Sequence, residues 1–117
     1  MIRPRRLPAS LALLLLMAVP AAADVRGTRI AMAVALLDVT QDFCAGRYKV
    51  DEPVKATLMA QFHEYDIAGL ASILSEPLNS FYEDFMHQAK QHRAAFCSTA
   101  PAVAAKTGYP VILAEQP

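Results

Sequence analysis

Residues 75–99 form the longest stretch of the sequence with the periodicity of a single amphipathic helix. At about 100° per residue, apolar side chains fall in one stripe and charged or amide side chains fall on the opposite side. The stripe consists of Leu78, Tyr82, Phe85, Ala89, His92 and Phe96. Such a helix must bury its apolar face against other elements of the chain. The stretch therefore predicts an all-α fold in which Ser75–Thr99 is one long helix.

The first 23 residues have the three-part layout of a secretory signal peptide. A start with three arginines precedes an apolar run over residues 11–19, and alanines occupy residues 21–23. We expect cleavage after Ala23. An uncleaved membrane anchor is the alternative, but the apolar run has only about half the length that a bilayer span needs. The sequence therefore predicts a periplasmic or secreted protein that is not inserted in a membrane after cleavage.

Composition limits the partners that the exported domain can have. Residues 24–117 contain eight basic and eleven acidic residues, a formal charge of −3, and no cluster of lysines and arginines. This balance argues against nucleic acid and against anionic membranes as partners. Ninety-four residues make a single domain, which includes an apolar C-terminal tail at about residues 108–117. A domain of this size buries only about 60 to 65% of its unfolded surface and benefits from a cross-link.

The two cysteines, Cys44 and Cys97, both lie in the predicted mature chain. Export places them in an oxidising compartment, where such a pair is expected to form a disulfide. Closing a loop of this length stabilises a domain by about 4 kcal/mol in the chain-entropy estimate. A free thiol pair, an intermolecular bridge and a metal site are the alternatives. We predict an intramolecular disulfide between Cys44 and Cys97.

Shorter helical segments are predicted before the long helix. The first covers Thr28–Cys44, Gly46 is the residue that a helix C-terminus prefers, and residues 47–50 form the connecting loop. The second begins at Asp51 and runs to about Tyr65, and a short piece covers residues 67–74. Pro101 is expected to end the long helix. At 1.5 Å per residue the long helix climbs about 33 Å, which returns Cys97 to the end of the domain that holds Cys44. The prediction is a small up-down-up bundle of three main helices and a short one, stapled by one disulfide.

The first predicted helix is apolar around most of its circumference. One stripe contains Ile30, Val34, Leu37 and Cys44, and only the side of Asp38 and Asp42 is clearly polar. The second apolar stripe consists of Met32, Leu36, Val39 and Phe43. A helix that is apolar on most sides is buried on most sides. The second stripe is therefore interpreted either as core or as a surface for a partner chain.

No pattern in the chain indicates catalysis or a cofactor. Met59 and His63 are four residues apart on the outer face of the second helix and are candidate ligands for a soft metal ion such as copper. Two ligands do not complete a site, because copper or zinc needs three or four. His92 is expected in the apolar stripe as a core residue. No nucleophile motif or phosphate-binding loop occurs, so we predict neither enzymatic activity nor a cofactor.

Three functions follow as expectations. The first is an accessory subunit, adaptor or inhibitor-like protein that binds another protein or a second copy of itself. The second is a stress chaperone, because a helical chain of fewer than a hundred residues with two distant cysteines is similar in layout to the small periplasmic acid-stress chaperones. Protonation of its carboxylates would then loosen the bundle and expose apolar side chains to clients. The third is periplasmic metal handling by Met59 and His63.

Overall fold

The protein was examined as a computed structural model, in which residues 25–67 and 71–114 are described. The predicted signal peptide and its cleavage position lie outside these residues. Four helices and two short strands occur within the described part of the chain. The first helix, α1, covers residues 25–43. The others are β1 (Tyr48–Val50), α2 (Glu52–Ile67), α3 (Ala71–Gln91), α4 (Arg93–Lys106) and β2 (Ile112–Ala114). The predicted all-α bundle is confirmed.

The core of the bundle is built around α1. Fully or almost fully buried side chains occur along its whole length, on more than one side of the helix. They are Ile30, Ala31, Ala33, Ala35, Leu36, Leu37, Val39 and Thr40. Gly27 allows neighbouring elements to approach closely, since a Cβ there would lie 3.0 Å from Leu74 Cδ2 and 3.4 Å from Tyr65 Cε2. The central position predicted for the first helix is confirmed.

Two of the predicted boundary signals act as expected. Gly46 has a φ of +76° directly after α1, a left-handed conformation that suits glycine at a helix C-terminus. Asp51 precedes α2, and its Oδ1 accepts a hydrogen bond of 3.1 Å from the backbone N–H of Val54. This bond satisfies one of the free N–H groups in the first turn of the helix. The start of α2 is therefore fixed by the residues that the sequence indicates.

The proline signals in the second half of the chain were misinterpreted. Pro77 lies inside α3, which begins at Ala71, and Pro101 lies inside α4. The predicted helix start at Ser75 and the separate short helix at residues 67–74 are therefore wrong, and so is the predicted helix end at Pro101. A proline inside a helix removes one backbone hydrogen bond. The helices continue past both prolines because packing of the surrounding turns outweighs that local preference.

The long helix predicted over Ser75–Thr99 is interrupted at His92. This residue has φ −142° and ψ 60°, which separates α3 from α4. Its side chain is exposed, so the prediction of a core histidine is wrong. The aromatic packing of the stripe continues across the break, with the ring centroids of Phe85 and Phe96 6.1 Å apart. The break therefore redirects the chain while both aromatic residues stay in the core.

The two strands form a small antiparallel sheet that joins distant parts of the chain. Tyr48 pairs with Ala114, and Val50 pairs with Ile112. The backbone N–H of Asp51 extends the pairing by donating to the carbonyl of Val111 at 2.8 Å. Val111 and Ile112 are buried. The predicted apolar tail thus packs on its own domain as far as Ala114, and the predicted loop before α2 contains β1.

Candidate functional site

The cysteine pair is a disulfide within the monomer. The Cα atoms of Cys44 and Cys97 are 5.6 Å apart across a sequence separation of 53 residues. Both side chains are buried, and the Cys97 sulfur lies 3.7 Å from the carbonyl oxygen of Phe43. The bond joins the end of α1 to α4 inside the hydrophobic core. Its position is that of a structural cross-link, since a reactive disulfide needs access for an attacking thiolate.

The second apolar stripe of α1 is mostly core. Leu36 and Val39 have no exposed surface, so the prediction of a partner surface is wrong for these two residues in the folded monomer. Met32 and Phe43 are half-buried and pack against the core. The guanidinium carbon of Arg93 lies 5.4 Å from the centroid of the Phe43 ring, a distance that permits a cation–π contact. Contacts within the chain thus account for this stripe.

Met59 and His63 lie on the outer face of α2, as expected, and both are exposed. Within residues 25–67 and 71–114, no three His, Cys, Asp or Glu side chains lie close enough to hold a metal ion. The assignment of Met59 and His63 as ligands of a soft metal ion stays a prediction.

The outer face of α2 is exposed, and it lies between the carboxylates of Glu52, in the first turn, and Glu64. We define the α2 outer surface as Ala56, Met59, Ala60 and His63. These residues follow a spacing of three and four, so they form one stripe. The stripe lies opposite Leu58, the one fully buried side chain among residues 52–65. Met59 is 39% exposed, which places a flexible thioether side chain in solvent at the centre of this stripe.

Two clefts lie on either side of Tyr109, in the turn between α4 and β2. One has a volume of about 390 Å³ and is lined by Val25, Arg26, Arg29, Thr107, Gly108 and Tyr109. The other has a volume of about 420 Å³ and is lined by Pro53, Val54, Thr57, Gln61, Gly108, Tyr109 and Pro110. We call the two clefts together the Tyr109 groove. Because both linings include Gly108 and Tyr109, the clefts lie next to each other, one at the start of α1 and the other beside α2.

The turn that forms the groove is held by its own hydrogen bonds. Gly108 has a φ of +86°, which reverses the chain after α4. The buried hydroxyl of Thr107 donates to the carbonyl of Ala104 at 2.6 Å and accepts from the N–H of Tyr109 at 3.1 Å. The phenol of Tyr109 donates to the side-chain oxygen of Gln61. These bonds fix the Tyr109 ring between the two clefts.

A tyrosine and two carboxylates meet on the polar side of α1. The phenol of Tyr82 in α3 donates to Asp38 Oδ2 at 2.5 Å. Burial, this hydrogen bond and the charges of Asp38 and Asp42 raise the pKa of Tyr82 to about 12. Burial and the charge of Asp42 also raise the pKa of Tyr48. A phenol with a raised pKa stays neutral at physiological pH, so this pair tethers α3 to α1 and supplies no base or nucleophile.

Comparison of the chain with known protein families, with curated proteins and with solved structures found no match. The function must therefore be inferred from the surfaces of this molecule.

Met59 and His63 were predicted from the sequence, whereas the Tyr109 groove was not. Its walls come from residues 25–29, 53–61 and 107–110, which no periodicity connects. The one available signal was the pair Arg26 and Arg29, spaced one helical turn apart in an otherwise acidic domain.

Proposed function

We propose that this chain is an exported, non-enzymatic protein of the periplasm or the extracellular space that binds another protein through the α2 outer surface. The observation that carries the proposal is the exposed stripe around Met59, which presents apolar and small side chains to solvent between Glu52 and Glu64. Methionine adapts its shape to a contacting surface, and binding sites for varied proteins often use it. The acidic balance of residues 24–117 and the missing catalytic motifs point the same way.

The buried disulfide supports the proposed location. Disulfides persist in oxidising compartments and are rare in the reducing cytosol. Among the described residues, no helix combines the length and the hydrophobicity needed to cross a membrane. Intact mass of the exported protein tests this part directly. The expected mass is that of a chain that starts at Asp24 and lacks the two cysteine hydrogens.

Native mass spectrometry of gentle extracts from the producing cell tests binding. We expect the wild-type chain in a complex with another protein, and we expect Met59→Glu to release the monomer because the new carboxylate would be desolvated in the interface. Gln88→Glu is the matched control, since it adds the same charge at an exposed position of α3. A wild-type chain that is monomeric, or a complex that survives Met59→Glu, contradicts the proposal. A complex with a second copy alone would replace it with self-association.

A second candidate is an acid-activated chaperone, which two hydrogen bonds favour. The carboxylate of Asp51 caps α2, and that of Asp38 holds Tyr82 of α3. At about pH 2 to 3 protein carboxyl groups in general are protonated, and the net positive charge of the chain then loosens a compact fold. Loosened helices would then expose the apolar side chains behind them. The test is light scattering of an aggregating client at that pH. Suppression by the wild-type chain supports this function, and unchanged aggregation contradicts it.

A further inference from the structure

The Tyr109 groove combines a basic end with an apolar end, and the two ends are joined by a fixed aromatic ring. We infer that it binds an extended peptide segment that presents a carboxylate next to apolar residues. This inference rests on the proposed function, since the segment would belong to the protein partner. It adds that the partner presents a carboxylate beside apolar residues, a property that the α2 outer surface alone does not indicate.

The basic end is formed by Arg26 and Arg29. Both side chains are exposed, and within residues 25–67 and 71–114 neither guanidinium forms a hydrogen bond or an ion pair. Guanidinium groups bind carboxylates with paired, charge-assisted hydrogen bonds. Among the residues that the structure describes, no acidic side chain lines this cleft.

The other end suits an apolar residue. Its walls include Pro53, Val54 and Pro110, and the described part of its lining contains no charged side chain. The polar side chains among these described residues are Thr57, Gln61 and Tyr109. The Thr57 hydroxyl donates to the carbonyl of Pro53 at 3.2 Å, and Gln61 accepts from Tyr109. Because these groups have partners already, apolar contact is the interaction that this end offers a ligand.

The shape of the groove favours a chain over a compact molecule. Tyr109 and Gly108 belong to both clefts, so a ligand that fills both must pass over the turn. An extended peptide does this readily, since it advances about 3.3 Å per residue and places side chains on alternate sides. The same α2 helix carries the groove wall and the α2 outer surface. One partner could therefore cover the outer surface and place an extended segment in the groove.

The experiment is selection of a phage-displayed library of random linear peptides on the disulfide-bonded chain that starts at Asp24. We expect the selected peptides to contain Asp or Glu beside apolar residues. Calorimetry with the strongest synthetic peptide should show that the Arg26→Ala/Arg29→Ala variant loses about tenfold or more in affinity. Replacing the acidic residue of the peptide with its amide should cause a similar loss. Arg47→Ala removes an exposed arginine outside the groove and should leave affinity unchanged.

Several results would overturn the inference. These are selected peptides without acidic residues, no selected peptide at all, equal loss in the Arg47→Ala control, or free glutarate binding as tightly as the peptide. Circular dichroism of each variant verifies that the helices remain. The native complex separates this inference from the proposed function. A complex that persists in the Arg26→Ala/Arg29→Ala variant overturns the groove alone, whereas a wild-type chain without a partner overturns the proposed function.

Discussion

Both of the first two helices carry apolar residues on more than one side, but they bury them to different extents. In α1, the residues from Ile30 to Thr40 are nearly all buried, and Gly27 brings neighbouring helices close. In α2, Leu58 is the one fully buried side chain among residues 52–65, and Met59 is substantially exposed. The difference shows that α1 organises the core, whereas α2 is attached along a narrow strip and offers its outer side to solvent.

This difference also redirects the search for a partner surface. The two apolar stripes of α1 suggested such a surface because together they are wider than one neighbouring helix can cover. In the structure, several elements of the chain cover these stripes, whereas Met59 of α2 remains exposed. Exposure of an apolar side chain depends on how many elements surround a helix. A helical pattern alone does not report that number.

Removal of the disulfide should have the largest effect. The Cys44→Ser/Cys97→Ser variant should lose about 4 kcal/mol of unfolding free energy, because the reduced unfolded chain has more conformational freedom. The bond joins α1 to α4, so its loss should weaken the core of the whole domain. It should not unfold α2 selectively. Urea unfolding followed by circular dichroism measures the change. A loss below about 1 kcal/mol would show that the core does not depend on the cross-link.

Leu36→Ala should destabilise the whole domain. Leu36 has no exposed surface in α1, so its truncation leaves a cavity in the centre of the core and costs about 3 kcal/mol. The urea concentration at the midpoint of unfolding should fall, and unfolding should remain a single cooperative transition. A change below about 1 kcal/mol would contradict the central position of α1.

Leu58→Ala is the matched substitution in α2, since Leu58 is equally buried. We expect a smaller global loss, of about 2 kcal/mol. Hydrogen exchange should show that the amides of α2 open first, because Leu58 is the one fully buried side chain among residues 52–65 of this helix. Equal protection of α1 and α2 in this variant, together with a global loss equal to that of Leu36→Ala, would remove the distinction between the two helices.

Tyr82→Phe should have a small effect at neutral pH and a clear one in alkali. The pKa of Tyr82 is raised to about 12 from 10.0, so the stabilisation from its neutral phenol is fully present below pH 10 and is lost as pH rises towards 12. Tyrosinate absorbance should show one fewer group ionising near pH 12 in the variant. The thermal unfolding temperature of the wild type should fall more steeply than that of the variant between about pH 10 and pH 12. Identical alkaline curves for both chains would mean that Tyr82 does not tether α3 to α1.

The sequence predicted those features that depend on local chemistry or on a simple periodicity. The caps at Gly46 and Asp51, the buried stripe of α1 and the disulfide belong to this group. The break at His92 could not be predicted, because neither glycine nor proline is present at that position. Pro77 and Pro101 led to the opposite error. Each proline favours a helix boundary locally, but the helix continues because surrounding contacts outweigh that preference.

The features that depend on contacts between distant segments could not be predicted, for a different reason. β1 and β2 are three residues each and pair across the whole length of α2, α3 and α4, so neither strand shows a recognisable alternation. The Tyr109 groove arises where three distant segments meet. Among the residues of the groove, only the pair Arg26 and Arg29 forms a recognisable pattern in the sequence. The exposed face of α2 was located correctly through Met59 and His63, although it was interpreted there as a candidate metal site.

Site-specific photo-crosslinking in the producing cell tests whether the partner covers the α2 outer surface rather than the side of α1 that carries Gln41. A benzophenone amino acid would replace Met59 of α2 in one variant and Gln41, an exposed residue of α1, in a matched variant. We expect a covalent adduct with another protein from position 59 and none above background from position 41. Adducts from position 41 alone, or from neither position, would contradict the proposed binding through the α2 outer surface.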